Sequence, residues 1–492
     1  MKLNKIFLPM AALALVGAMT AGCSSDDLAT DTPLLPDAAG GTVTMKTTIT
    51  LDERASTRAL DADGKKTFAA GDQIAVIYQN TSGETIKAVS DALTATDIDA
   101  TNTQNATFSV SLTNPKANGK VRYIYPAAMA VNTIATDAAI DDAATIDFTN
   151  LATQDGKLAS LASTLDLGVF DGTMTTQAVL PSTATLENPL TIGAFTIQNS
   201  ATSADVTSTI TKLTIAVGTN TYTITPSTLS TIYVAMKPVD NKTVTVSVTG
   251  STNKYSDKSV SSTTLAKNTI YPINVSLTAR YPLALSSVST DDIGCVITTD
   301  GNICMNAAGA IAASKTAVAM ITYVGSANAE SSPYTHGLAL ALSDANGGYI
   351  QWKTEKSDAG HTWQSDRNNF TSESGLQYND ATHNTDTYPA FKAAIANNGI
   401  AQPTNCSAWF LPTAYQWNQM IDACKNVLGT KNSYEDLRDG FNSVGGTNME
   451  LGEYWSSTEY TIYTVWNYRF HLGYWASQTK DFYSYVRSAL AF

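Results

Sequence analysis

Thr42-Val-Thr-Met-Lys-Thr-Thr-Ile-Thr-Leu51 runs directly into Asp-Glu-Arg54-Ala-Ser-Thr-Arg58. Val43, Met45, Ile49 and Leu51 fall on one side of a two-residue period, with Thr44, Lys46, Thr48 and Thr50 on the other. That alternation, rich in β-branched residues, predicts a strand with one buried face. Arg54 and Arg58 follow in a polar segment that reads as exposed. A protease cutting there detaches the strand covalently from whatever it packs on. Four such side chains contribute roughly 1.5–3 kcal/mol each when buried, so an emptied slot must be refilled. The plainer reading is a first strand followed by a solvated loop.

The leader is read from residue types. Lys2 and Lys5 precede an apolar run from Ile6 to Met19, then Ala21-Gly22-Cys23. Basic, apolar and small residues in that order make a secretory signal, and the apolar run is short for a membrane span. It resembles a bacterial lipoprotein signal, which implies that Cys23 becomes the acylated first residue. Ser24-Ser25-Asp26-Asp27 resembles the Ser-plus-acidic tag that directs Bacteroidetes lipoproteins to the cell surface. Membrane attachment is then expected only through the precursor's lipid. With 30 Lys+Arg against 43 Asp+Glu and no basic run, nucleic acid is not an expected partner.

From Phe68 to Leu277 short apolar-alternating segments recur between Gly, Pro, Asn and Ser, the spacing of β-sandwiches. Within them stand Phe68…Gly71-Asp72-Gln73-Ile74-Ala75-Val76, Tyr125-Pro126 and Leu265-Ala-Lys-Asn-Thr-Ile270-Tyr271-Pro272-Ile273-Asn-Val275. With the strand before Arg54, these phrases resemble the fimbrillin superfamily of Bacteroidetes pilins over about 42–278. The resemblance implies two tandem β-sandwiches, removal of the leader with its first strand by an Arg-specific protease, and a replacement strand donated by the next subunit. Arg58 matches the cleavage position best, with Arg54 as the alternative.

Beyond Ser286 the composition changes: all seven Trp and all four His lie after residue 330. Helices are predicted from Pro389 to Asn398 and from Thr413, where Thr413 and Gln416 form a capping box, to a stop at Gly429. Trp409-Phe410-Leu411-Pro412-Thr413, Tyr454-Trp455-Ser456-Ser457-Thr458-Glu459-Tyr460 and Val486-Arg487-Ser488-Ala489-Leu490-Ala491-Phe492 resemble a bacterial C-type-lectin-like domain of the major paralogous and sulfatase-modifying-related kind. The expected fold is mainly β: two tandem pilin-type sandwiches followed by an α+β C-type-lectin-like domain. Its parts are a signal peptide over 1–22, a propeptide with the removable strand over 23–58, sandwiches over 59–178 and 179–280, and the lectin-like domain over 281–492.

No catalytic constellation stands out, and neither cofactor nor metal is expected. His336, His361, His383 and His471 lack a nucleophile elbow or a metal-ligand spacing. His361 and His383, near Asp358 and Asp386, read as surface loop histidines. Calcium lectins ring their ion with carboxylates and amides; Gln402-Pro403-Thr404 and Trp466-Asn467-Tyr468 each lack the last ligand. Cys295, Cys304, Cys406 and Cys424 allow three disulfide pairings, with connectivity left open. Trp363, Tyr460, Tyr463 and Trp475 lie in loop-like sequence and are the candidate ligand-facing aromatics.

Two functions are expected, neither enzymatic. The first is a fimbrium tip subunit for cell adhesion, which accepts a donor strand but has none to give because its pilin body runs on into another domain. Its partners are other fimbrial subunits, an Arg-specific protease during maturation, and a host or bacterial surface ligand, protein or glycan. The alternative is a lipid-anchored surface glycan-binding protein of a polysaccharide-uptake system.

Overall fold

The computed structural model describes residues 41–51, 67–165, 167–425 and 427–492. The chain is mainly β. It opens with β1 (Thr42–Leu51), β2 (Ala75–Gln79), β3 (Thr85–Val89), β4 (Asn105–Thr113) and β5 (Lys120–Tyr125). There follow α1 (Asp142–Thr145), β6 (Thr153–Gln154), α2 (Leu158–Thr164), β7 (Gly168–Thr173) and β8 (Thr183–Leu186). A three-stranded sheet ordered β4-β1-β8 and a four-stranded sheet ordered β3-β2-β5-β7 share one core built around Phe68, Phe108, Tyr123 and Tyr125.

The second sandwich contains β9 (Thr191–Asn199), β10 (Ile210–Val217), β11 (Asn220–Ile224), β12 (Ile232–Met236), β13 (Val239–Gly250), β14 (Lys258–Leu265) and β15 (Thr269–Leu277). Its sheets are β14-β13-β10-β11-β6 and β12-β9-β15. Sequence order and packing interleave here. Leu151, Leu161 and Leu165 enter the second core, whereas Ala184 and Leu186 of β8 enter the first. β14 has no alternation to read, because all of it except Thr263 and Leu265 is exposed.

From Tyr281 the chain builds cores of its own. They involve β16 (Leu283–Ala284), β17 (Val296–Thr298), β18 (Asn302–Cys304), α3 (Ala307–Ala312), β19 (Ala317–Val324), β20 (Gly337–Ala341) and β21 (Ile350–Gln351). Then come α4 (Pro389–Ala396), α5 (Ala414–Cys424), α6 (Ser433–Asp439), β22 (Glu453–Thr461), β23 (Thr464–Arg469), β24 (Tyr474–Thr479), β25 (Tyr483–Ser484) and β26 (Ala489–Ala491). A six-stranded sheet, β16-β18-β17-β19-β20-β26, backs the region, and β22-β23-β24 forms a second one.

α5 has the expected cap, with both arms of the Thr413–Gln416 box made, but it stops at Cys424 rather than at Gly429. The chain turns away at Lys425 so that Leu428 packs over Gly294 and Gly440. A Cβ on Gly294, at φ +87°, would lie within 2.4 Å of Leu428. α6, which the sequence reading did not predict, starts on a second capping box made by Asn432 and Glu435. Leu472 lies beyond the end of β23 and is exposed.

Candidate functional site

β1 is the centre of its sheet, not an edge. Nine residue pairs join it antiparallel to β4, from Thr42↔Thr113 to Thr50↔Asn105. Its last four residues also pair parallel with β8, Thr48↔Thr183 to Leu51↔Leu186. Met45, Ile49 and Leu51 are buried and Val43 is partly buried against the same core. The missing member of the period is Thr47, which is buried too and donates its hydroxyl to the Pro181 carbonyl at 2.8 Å. On the outer face Thr44 bonds Ser111 at 2.9 Å, Thr48 bonds Thr107 at 3.1 Å and Thr50 donates to Asn105 at 2.8 Å.

Both ends of the segment 52–66 are tied to the same place. Leu51 N–H donates to the Gln104 carbonyl at 3.1 Å, and Phe68 N–H donates to the neighbouring Thr103 carbonyl at 2.8 Å. Arg54 and Arg58 lie inside that segment, outside the described residues, as does Cys23. A break in 52–66 would leave β1 held by its hydrogen-bond ladders and apolar face alone.

The four aromatics part company. Trp363 is 52% exposed and Tyr463 is 55% exposed. Trp363 bridges to Glu459 on β22, and Tyr463 lies in the β22–β23 turn. Tyr460 is partly buried, its ring 4.9 Å from that of Trp466. These three therefore gather at one end of the β22–β23 hairpin. Trp475, expected at the surface, is only 6% exposed and packs edge-on to Phe370 and Tyr468.

Behind the Trp363 loop lies a buried polar cluster that the sequence reading assigned elsewhere. His361 and His383 are buried, not surface residues. Their Nε2 atoms are 2.9 Å apart; His361 Nδ1 donates to the Ser457 carbonyl at 2.9 Å, and His383 Nδ1 lies 2.9 Å from Asp380 Oδ1. With the proton on Nδ1, His361 Nε2 accepts from His383 Nε2–H. Burial pushes His361 down to about 3, and its ring stacks on Tyr378 at 3.7 Å.

Beside them Lys480 and Glu459 form an ion pair with both side chains fully buried. Lys480 Nζ also donates to the carbonyls of Ser357 at 2.7 Å and Ile462 at 2.9 Å. Glu459 accepts from the backbone N–H of Ala359 and of His361. Burial raises the Glu459 carboxyl and lowers the Lys480 ammonium. The cluster pins residues 357–361 to β22. No local pattern marks it, because Glu459 lies on β22 and Lys480 directly follows β24, strands that β23 separates in the sheet.

All four C-terminal cysteines are buried thiols without a disulfide. Burial pushes Cys406 up to about 12 and Cys424 higher still, which suits core residues rather than nucleophiles. Cys304 pairs with Val296, one residue away from the Ile297 partnership that a two-residue turn at Asp300-Gly301 predicts. Asn467 is buried, and Gln402 Nε2 donates to the Cys406 carbonyl at 2.5 Å. Among the described residues no group of three or more His, Cys, Asp or Glu is placed to hold a metal ion, and no helix is long and apolar enough to cross a membrane.

No protein-family model matches this chain, and no curated protein matches it. Solved structures that align with it include a fimbrial protein from Bacteroides ovatus, 13% identical over 92% of this chain and 100% of its own, with a TM-score of 0.28. A fimbrial assembly protein from Parabacteroides distasonis is 12% identical over 47% of this chain and 90% of its own, TM-score 0.28. The tip fimbrial protein Mfa3 from Porphyromonas gingivalis, truncated at its C-terminus, is 7% identical over 45% and 81%, TM-score 0.22.

Proposed function

We propose that this chain is the adhesive tip subunit of a fimbrium, assembled by exchange of β1 after cleavage at Arg58 or Arg54. The observation that carries the reading is the position of β1. A ten-residue strand is central in its sheet, supplies an apolar face to the core, and is followed by a 52–66 segment containing two arginines. Its loss exposes the edges of both β4 and β8, and a strand from a neighbouring subunit satisfies them by β-augmentation. On this reading the pilin body has no free strand to give in return, because after β15 the chain runs on into the region 281–492. On this reading the precursor is a surface lipoprotein acylated at Cys23, and the region 281–492, with its C-type-lectin-like phrases, is displayed for attachment.

The test is to digest the full chain with an Arg-specific protease and add a fluorescent peptide of residues 42–51. Cut protein should take up the peptide over hours while uncut protein does not. No cut after Arg54 or Arg58, or a cut protein that never exchanges, sinks the proposal.

The alternative, a lipid-anchored glycan-binding protein, draws support from the exposed Trp363 and Tyr463. N-terminal sequencing of the protein from intact cells separates the two: an acylated Cys23 on the mature form favours the anchored protein.

A further inference from the structure

We propose that the depression between α5, the loop containing Arg367 and the β23–β24 turn is a metal-independent binding site for a neutral sugar. This inference rests on the adhesive reading above and names the class of ligand. The depression encloses about 570 Å³, within the usual range of small-ligand clefts.

Tyr474 forms one wall and is 42% exposed. Arg469 holds it in place: the guanidinium lies 5.7 Å from the ring centroid, and Nη1 donates to the phenol oxygen at 3.3 Å. Arg469 is itself held by Glu453 at 3.0 Å. The ring is therefore fixed before any ligand arrives, which lowers the entropic cost of binding. Gly473 sets its position. At φ +74° a Cβ there would lie 2.5 Å from the Tyr434 ring, and the N–H groups of Leu472 and Gly473 close the turn on the Arg469 carbonyl at 3.0 and 2.7 Å.

The floor is equally ordered. Trp475 Nε1 donates to Asn418 Oδ1 at 2.8 Å, which fixes the amide so that its NH₂ end is the donor offered to a ligand. Asn368, Arg367 and Asp422 complete the lining, with one positive and one negative side chain that balance. Planar amide, guanidinium and carboxylate groups can each address two adjacent hydroxyls. The C–H face of a pyranose packs on an aromatic ring. Asp422 is a single carboxylate, whereas calcium takes six to eight oxygens; the recognition needs no ion.

The experiment uses the full chain in EDTA and saturation-transfer NMR with the methyl glycosides of glucose, galactose, mannose, fucose and N-acetylglucosamine. At least one should bind. Tyr474→Ala and Asn368→Ala should each weaken that binding roughly tenfold without moving the thermal midpoint. Tyr483→Ala, an exposed aromatic on β25 outside the depression, should leave it within about twofold. The proposal is overturned if none of the five glycosides binds, if binding requires added calcium, or if both variants bind like the wild type. Attachment of protein-coated beads to cells separates the two claims. Attachment that fully survives Tyr474→Ala removes the sugar site and keeps the adhesin; a wild type that never attaches removes the adhesin, whatever the NMR reads.

Discussion

Thr47 Oγ1 donates to the carbonyl oxygen of Pro181, 2.8 Å away and 134 residues later in the chain. This bond fastens the buried face of β1 to the segment leading into β8. Thr47→Val keeps the shape and removes the donor, so it should cost about 1 kcal/mol. Ile49→Ala empties a fully buried position and should cost roughly 2–5 kcal/mol. Thermal unfolding of the uncut protein reads both, and an Ile49→Ala variant as stable as wild type would show that β1 contributes little to its sandwich.

The burial of His361 makes stability depend on acidity. In the unfolded chain His361 titrates near about 6.5, while in the fold burial holds it down to about 3. Between those values the unfolded state takes up a proton that the folded state refuses. Stability is therefore intact above about 6.5 and falls as the pH drops towards 3, by an amount on the order of a few kcal/mol. Denaturant melts across that range should show the slope, and His361→Asn, which can still donate to Ser457, should flatten it.

Lys480 and Glu459 should respond very differently to single and double replacement. Lys480→Met alone leaves a buried carboxylate unpaired and should cost roughly 3–5 kcal/mol. Adding Glu459→Leu should recover much of that, because the desolvation penalty disappears with the charge. A double-mutant cycle by urea unfolding measures the coupling, and additive losses would mean that the pair is not the unit described.

Gly294→Ala places a methyl group against Leu428 and strains a left-handed backbone. The expected loss is about 1–3 kcal/mol. Leu428→Ala in the same chain relieves the clash but not the backbone, so the pair should recover only part of it in a thermal melt.

Much of the architecture was written in local pattern. The two-residue period of β1, the strands ending in Leu277, the Thr413–Gln416 cap and the Pro389 helix all follow from spacings that neighbours in sequence impose. β14 was not legible, because a strand with no buried face leaves no alternation to read. Short apolar runs also do not say which sandwich they serve, and so Leu161 and Leu186 exchange partners across the two cores. Trp475 reads as a loop residue until β24 carries it under Phe370.

The sequence alone determined that this is a β-rich chain with a basic then apolar N-terminal run, a strand followed by arginines, and an aromatic C-terminal third. Those features rest on periodicity and composition, which act over a few residues. Only the tertiary structure decided that β1 is central between β4 and β8, that His361 meets His383, and that Glu459 meets Lys480 in a place without water. Each depends on contacts between distant segments, whose energies come from burial and desolvation that no local pattern encodes.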